Sequence, residues 1–204
     1  MKFTIKAAPF GAALTNVIPH AGTDDTLPAL KAVRIRLDEL GVLVVEATDR
    51  YSLGEQTVPH DNKILCDGFE PGEVLVPLAF AKDMAKVLKP SPRAVPTFVN
   101  FAVADGRIAL EYGTGTITSL PVEGEFPKVD RLWPTERKDT DRIGLAAWQA
   151  AKFAKVVDSD HRPIKHATLE MTLNGSTKPA LVAVSGLDDF RALLMPVRLA
   201  EAAA

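Results

Sequence analysis

A helix-and-strand pattern recurring every seventy residues or so, roughly, constrains this chain more than any other feature. Phe10, Leu14, Val17 and Ile18 stand at i, i+4, i+7 and i+8, and Phe80, Met84, Val87 and Leu88 repeat that spacing. A weaker third copy runs Gln149, Phe153, Val156 and Val157, with its first position polar. Each set falls on one face of a short helix, so each helix has one side to bury. A unit of this length is a supersecondary block used three times, and such blocks bury their faces by stacking in series.

Extended segments recur around the helices in a constant order. A short strand at 3–5 precedes the first helix, which Pro9 opens and Pro19 closes. Residues 32–37 alternate apolar and charged side chains, and 42–45 form a buried-type run. A connecting loop rich in Asp, Gly, Pro and Asn covers 59–73. The second unit reads as a strand at 74–76, a helix at 79–89, a hairpin from 98–103 to 108–112 turning at Asp105-Gly106, and a strand at 116–122. The polar stretch 134–142 reads as a linker. The third unit has 143–145 extended, a helix at 146–157, strands at 167–173 and 179–184 joined at Asn174-Gly175, and a last strand at 190–199. Asp188-Asp189 reads as a strand turn and the final EAAA as frayed. Each unit is βαβββ, which implies an α+β architecture with antiparallel sheets and helices on one face. The expected organisation is two units in 1–133, the linker 134–142, and one unit in 143–204.

Composition narrows the function. The chain is 47% hydrophobic and 25% charged, ordinary globular usage. A net charge of -2 excludes a strongly basic, histone-like binder but not basic residues gathered on one surface. With Cys66 the sole cysteine, no intramolecular disulfide can form, which suits a reducing cytoplasm and argues against a cysteine metal site. No stretch nears eighteen apolar residues and the N-terminus lacks an apolar signal core, so a soluble cytoplasmic protein without membrane association is expected. Asp158-Ser159-Asp160-His161 has the look of metal ligands, but adjacent residues rarely converge on one ion. Gly113-Thr114-Gly115 does not open a helix and is no nucleotide site. With no nucleophile–base pair and no paired carboxylates at catalytic spacing, the expectation is a non-enzyme needing neither cofactor nor metal.

Three segments carry a specific resemblance. Ala47-Thr48-Asp49-Arg50-Tyr51-Ser52-Leu53 follows a buried strand, Gly124-Glu125-Phe126-Pro127-Lys128-Val129-Asp130 ends the second unit, and Leu194-Met195-Pro196-Val197-Arg198-Leu199 lies near the C-terminus. In this order, beside the βαβββ repeat, they resemble the bacterial sliding clamp family, the beta subunit of DNA polymerase III. Residues 1–133 look like its complete middle domain and 141–199 like half of its last domain. The family builds rings of six domains, helices toward the DNA and sheets outside.

The resemblance implies a DNA sliding clamp: a ring around duplex DNA, bound without regard to sequence, that tethers a polymerase and its clamp loader through short linear peptides. Three units per chain would close the ring as a homotetramer, with a trimer as runner-up. The implied peptide pocket comprises Leu30, Thr48, Leu53, Pro127, Arg131, Leu132, Met195, Pro196, Val197 and Arg198, with Tyr51 where the family often has histidine. Apolar walls tolerate several peptides, and the arginines suit carbonyls or a carboxylate at the rim. A DNA-facing lining calls for diffuse positive charge, for which Lys82, Lys86, Lys89 and Arg93 share one helix face, with Lys152 and Lys155 on the third helix. The first helix is poor in basic residues. Trp133 and Trp148 flank the linker and are expected to pack the third unit against the first two. The alternative is a degenerate clamp-like module that binds such peptides without encircling DNA.

Overall fold

The structure, a computed structural model, describes residues 1–58, 69–90, 98–140 and 142–199. The first unit is β1 (Lys2–Lys6), α1 (Ala7–Val17), β2 (Ala32–Leu37), β3 (Leu43–Thr48) and β4 (Ser52–Thr57). The second is β5 (Gly72–Pro77), α2 (Leu78–Val87), β6 (Phe98–Ala104), β7 (Arg107–Tyr112) and β8 (Gly115–Ser119). The third holds α3 (Ala147–Ala150), β9 (Leu169–Thr172), β10 (Ala180–Val184) and β11 (Leu187–Leu194). All pairings between these strands are antiparallel. One sheet has the order β1-β6-β7-β8, so the two units exchange their first strands; the other runs β5-β2-β3-β4-β11-β10-β9.

That second order is the central fact of the fold. The third unit adds β11 to the open edge of β4, with Leu193 opposite Leu53 and Leu194 opposite Ser52. One sheet therefore runs without a break across the seam.

The core forms where the helices meet the sheets. Phe3 stacks on Phe101 at 4.9 Å, and Phe10 of α1 meets both rings edge-on at 5.7 and 6.1 Å. Gly11 lets α2 come close, since a Cβ there would stand 2.8 Å from the Leu88 Cβ. α1 carries no charged residue because α2 covers one flank and the third unit the other. Asn16 shows the second contact: its amide donates to Val157 O and accepts from Val157 N, at 2.9 and 2.8 Å, and donates to Gln56 Oε1 at 2.9 Å.

The opposite sheet face is crossed by 120–134, whose Phe126 and Val129 pack on Ala32, Leu53, Leu75 and Leu193. β3 is thus covered on both faces and buried throughout. Two arginines lie under this crossing segment: Arg34 sits 4.5 Å from the Phe126 ring and Arg191 3.9 Å from the Trp133 ring.

Several expectations shift. The third helix, expected over 146–157, is one α-turn followed by a 3₁₀ turn at Ala151–Phe153. Val156 and Val157 are extended instead, because Asn16 takes both polar groups of the Val157 backbone and Ile164 N donates to Val156 O. Asp188-Asp189 lies within β11, and the turn falls at Ser185-Gly186, where Gly186 has φ +80. Asn174-Gly175 is part of a longer connection rather than a two-residue turn, with Lys138 bonded to Leu173 and Gly175. Residues 143–145 form a single bridge, Gly144 with Val197, rather than a strand. Most of the loop at 59–73, Arg93 and the EAAA end fall outside the described residues.

Candidate peptide pocket and basic face

The turn between β3 and β4 is a self-contained knot of hydrogen bonds. Asp49 Oδ1 accepts from Tyr51 N, Ser52 N and Ser52 Oγ at 3.0, 2.7 and 3.0 Å. Thr48 Oγ1 donates to Ser52 O at 2.7 Å. This geometry puts Arg50 at φ 77, a left-handed conformation that the surrounding bonds must impose.

The third unit then locks the turn from outside. Lys152 Nζ lies 2.5 Å from Asp49 Oδ2 and 2.6 Å from Ser52 Oγ. Its side chain is only 9% exposed and passes 4.8 Å from the Trp148 ring. Gln149 Nε2 donates to Tyr51 O at 2.7 Å and to Met195 O at 3.3 Å, while Met195 N donates to the same Tyr51 carbonyl at 2.9 Å. Tyr51 and Trp148 meet edge-to-face at 5.9 Å, both about half exposed.

Two cavities open along this seam. A cleft of about 30 Å³ is lined by Thr48, Arg50, Ser52, Leu53, Leu132, Pro179, Leu193 and Met195. Beyond Arg50, a cavity of about 390 Å³ is bounded by Leu27, Leu30, Asp24, Tyr51, Trp148 and Lys152 among others. Of the ten expected pocket residues, Thr48, Leu53, Leu132 and Met195 share the first cleft, and Leu30 lines the second cavity. Pro127, Arg131, Val197 and Arg198 are exposed and line neither cavity, and Pro196 is half-buried. The cleft is much smaller than the neighbouring cavity, so a large peptide side chain is best admitted if Met195 turns aside. Met195 can do so, being unbranched and half-buried.

Sequence reasoning missed Asp49, Gln149 and the buried role of Lys152. The polar residue breaking the third helix's apolar spacing was the available signal for Gln149.

Two acids and one histidine around the seam are electrostatically unusual. Glu46 is fully buried on β3 opposite Glu55 of β4, and burial, followed by the Glu55 charge, pushes its carboxyl up to about 7 against the pull of Arg34, 2.6 Å away. Glu55 is paired in turn with Arg191 at 2.6 Å. His20 is buried against Phe153, Phe190 and Gly54 with neither ring nitrogen hydrogen-bonded among the described residues. Burial, with the Lys152 charge adding to it, lowers His20 to about 3.

On the helical side, Lys82, Lys86, Lys89 and Lys155 are exposed. Lys86 is paired with Asp83 at 3.0 Å. Burial lowers the His161 pKa, and the charge of Lys89 lowers it further. Lys152 departs from the expected lining: Asp49 draws it into the seam. Among the described residues Lys82, Lys89 and Lys155 make no ion pair, and no group of His, Cys, Asp and Glu gathers as a metal site.

The continuous sheet, the paired βαβββ units and the helices along one side define a DNA-clamp fold of the α+β class. No family model matches the chain. It is 28% identical over 166 residues to the beta sliding clamp of Streptomyces coelicolor, covering 79% of this chain and 42% of that protein. It is 30% identical over 134 residues to the beta sliding clamp of Micrococcus luteus, covering 64% of this chain and 40% of that one. The DNA polymerase III beta subunit of Thermotoga maritima superposes over 98% of this chain and 66% of its own, with a TM-score of 0.76 at 15% identity. The chain is thus similar to beta sliding clamps in sequence over most of its length and shares their fold, and it spans less than half the length of these two curated relatives.

Proposed function

We propose that the chain is a DNA sliding clamp, a non-enzymatic processivity factor. It encircles duplex DNA as a homo-oligomeric ring and tethers a replicative polymerase through short peptides seated at the β4–β11 seam. One observation carries this reading: pairing of β11 with β4 brings Thr48, Leu53, Leu132 and Met195 from separate units to one cleft in a clamp fold. In this reading residues 1–133 act as a complete clamp domain and 143–204 as half of one, and a homotetramer supplies the twelve units of a ring, with a trimer as the other arrangement. The exposed lysines of α2 and Lys155 supply contacts to phosphate, which hold DNA without reading its sequence. No helix among the described residues is long and apolar enough to cross a membrane.

One feature favours a second reading, a module that binds clamp-binding peptides without encircling DNA. α1 offers no cation at all, and only three lysines of the basic face are unpaired among the described residues. Retention on a nicked circular plasmid separates the two. A ring stays on the circle through a high-salt wash and is lost when the plasmid is linearised; equal retention on both forms, or none on either, overturns encirclement.

A further inference from the structure

Each sheet edge presents unpaired backbone groups, and edges are normally blunted by charge, proline or a covering segment. Three of the four edges here are managed in that way. β1 exchanges hydrogen bonds with Glu70, Lys2 N to Glu70 O at 3.0 Å and Glu70 N to Lys2 O at 2.8 Å. β5 contains Glu73 and Pro77, and its Leu75 carbonyl accepts from Val122 N at 2.8 Å. β9 carries Glu170, and Leu173 just past its end accepts from Lys138 N at 3.0 Å.

β8 has none of these protections. Its sequence, Gly-Thr-Ile-Thr-Ser, contains neither charge nor proline, and among the described residues nothing pairs with its outer edge. The hairpin sets which groups are free. Tyr112 faces Gly115 across a two-residue turn, with Gly113 at φ 54 in the first central position. Such a turn is flanked by a hydrogen-bonded pair, so alternation leaves the N–H and C=O groups of Thr116 and Thr118 pointing outward.

We propose that β8 pairs antiparallel with β8 of a second copy of this chain, centred on Ile117. In that register Thr116 of each copy lies opposite Thr118 of the other, giving two hydrogen-bonded pairs that each exchange both bonds. Ile117 meets its own copy in the non-hydrogen-bonded position between them. Ile117 lies opposite Leu110 and is partly buried against the core, so its copy extends an apolar surface already begun. Thr116 and Thr118 are exposed on the other face and form the threonine cross-strand pairs that stabilise sheets. The two-fold axis stands normal to the sheet, so the helices of both copies remain on one side. A head-to-tail contact of β8 with β4 is closed, because β11 already occupies β4. A two-fold contact of this kind joins copies in pairs, so it fits an even number of chains and not the trimer, and it does not require DNA.

A single strand pair buries little surface, so association in the micromolar range is expected. Light scattering of the full chain from about 5 to about 200 µM should show the mass rising from one chain toward two or a multiple of two. Thr118→Pro removes an outward N–H without touching the β7 ladder, and Thr116→Lys places a charge on the edge. Each should hold the mass at half the wild-type value at the top of that range, with an unchanged circular dichroism spectrum. Ile117→Cys in a Cys66→Ser background should oxidise to a disulfide-linked pair. A wild-type chain that stays monomeric throughout, or a folded Thr118→Pro and Thr116→Lys pair that both still associate, overturns the proposal. Plasmid retention is read separately, so loss of the ring reading leaves this result standing.

Discussion

Gln149 stands where the first two helices carry phenylalanine, and its amide joins the Tyr51 and Met195 carbonyls across the seam. Replacing it with Ala leaves the half-buried Met195 carbonyl without this donor and Tyr51 O with Met195 N alone, which costs roughly 1 kcal/mol. Urea denaturation should show that loss, and an unchanged midpoint would contradict the role of the contact. His20 and Glu46 make opposed contributions to the pH dependence of stability. His20 has its pKa lowered from 6.5 to about 3, so the unfolded chain binds the proton more tightly, and stability falls as pH drops below 6.5 toward 3. Glu46 is raised from 4.5 to about 7, so the folded chain binds the proton more tightly, and stability falls as pH climbs from 4.5 through 7. Between pH 4.5 and 6.5 the two slopes offset each other in the native chain. Thermal melts of Glu46→Gln should therefore lose the offset, with stability rising steadily from pH 3 to 6.5 and no decline from 6.5 through 7; a pH profile parallel to the native one would refute the assignment.

At the scale of elements, Asn16 is the link between α1 and the third unit. Asn16→Ala strands the Val157 N–H and C=O in a buried place, with an expected destabilisation of roughly 2–4 kcal/mol. Hydrogen exchange should quicken most in residues 153–164, and uniform quickening would place the link elsewhere. The same contact explains why the repeat was only partly legible. The apolar spacings of α1 and α2 read correctly because those faces bury against their own sheets. Val156 and Val157 kept that spacing in the third copy, but a side chain 141 positions away, Asn16, claimed the Val157 backbone, and Ile164 N bonded the Val156 carbonyl. Local pattern also located β2 and the β6–β7 hairpin closely. The β4–β11 pairing was beyond it, since register between distant strands is set by burial on both sheets rather than by either strand alone. The convergence of the expected pocket residues, rather than any binding role, was legible in part for the same reason. The ATD-type turn and Met195 flank that pairing and converge, whereas Pro127 and Arg131 lie on the crossing segment, outside both cavities.

For the whole molecule, the balance of charge decides what kind of clamp this can be. A net charge of -2 repels DNA on average, so in the proposed clamp the hold on the duplex falls to the basic residues gathered on the helical side. Lys86 spends part of its charge on Asp83, Lys152 is drawn into the seam by Asp49, and α1 adds nothing, which leaves Lys82, Lys89 and Lys155 open among the described residues. With so few open cations among the described residues, the proposed clamp is expected to retain DNA by topology more than by affinity. Two measurements follow from that. On short linear duplex, Lys82→Ala should weaken binding and lower the slope of log K against log salt by about 0.9, one phosphate contact's worth. On nicked circular plasmid, the same variant should be retained almost as well as the native chain once loaded, because escape needs the ring to open rather than a contact to break. If retention on the circle falls in proportion to affinity on the linear duplex, the lysines and not a closed ring hold the DNA.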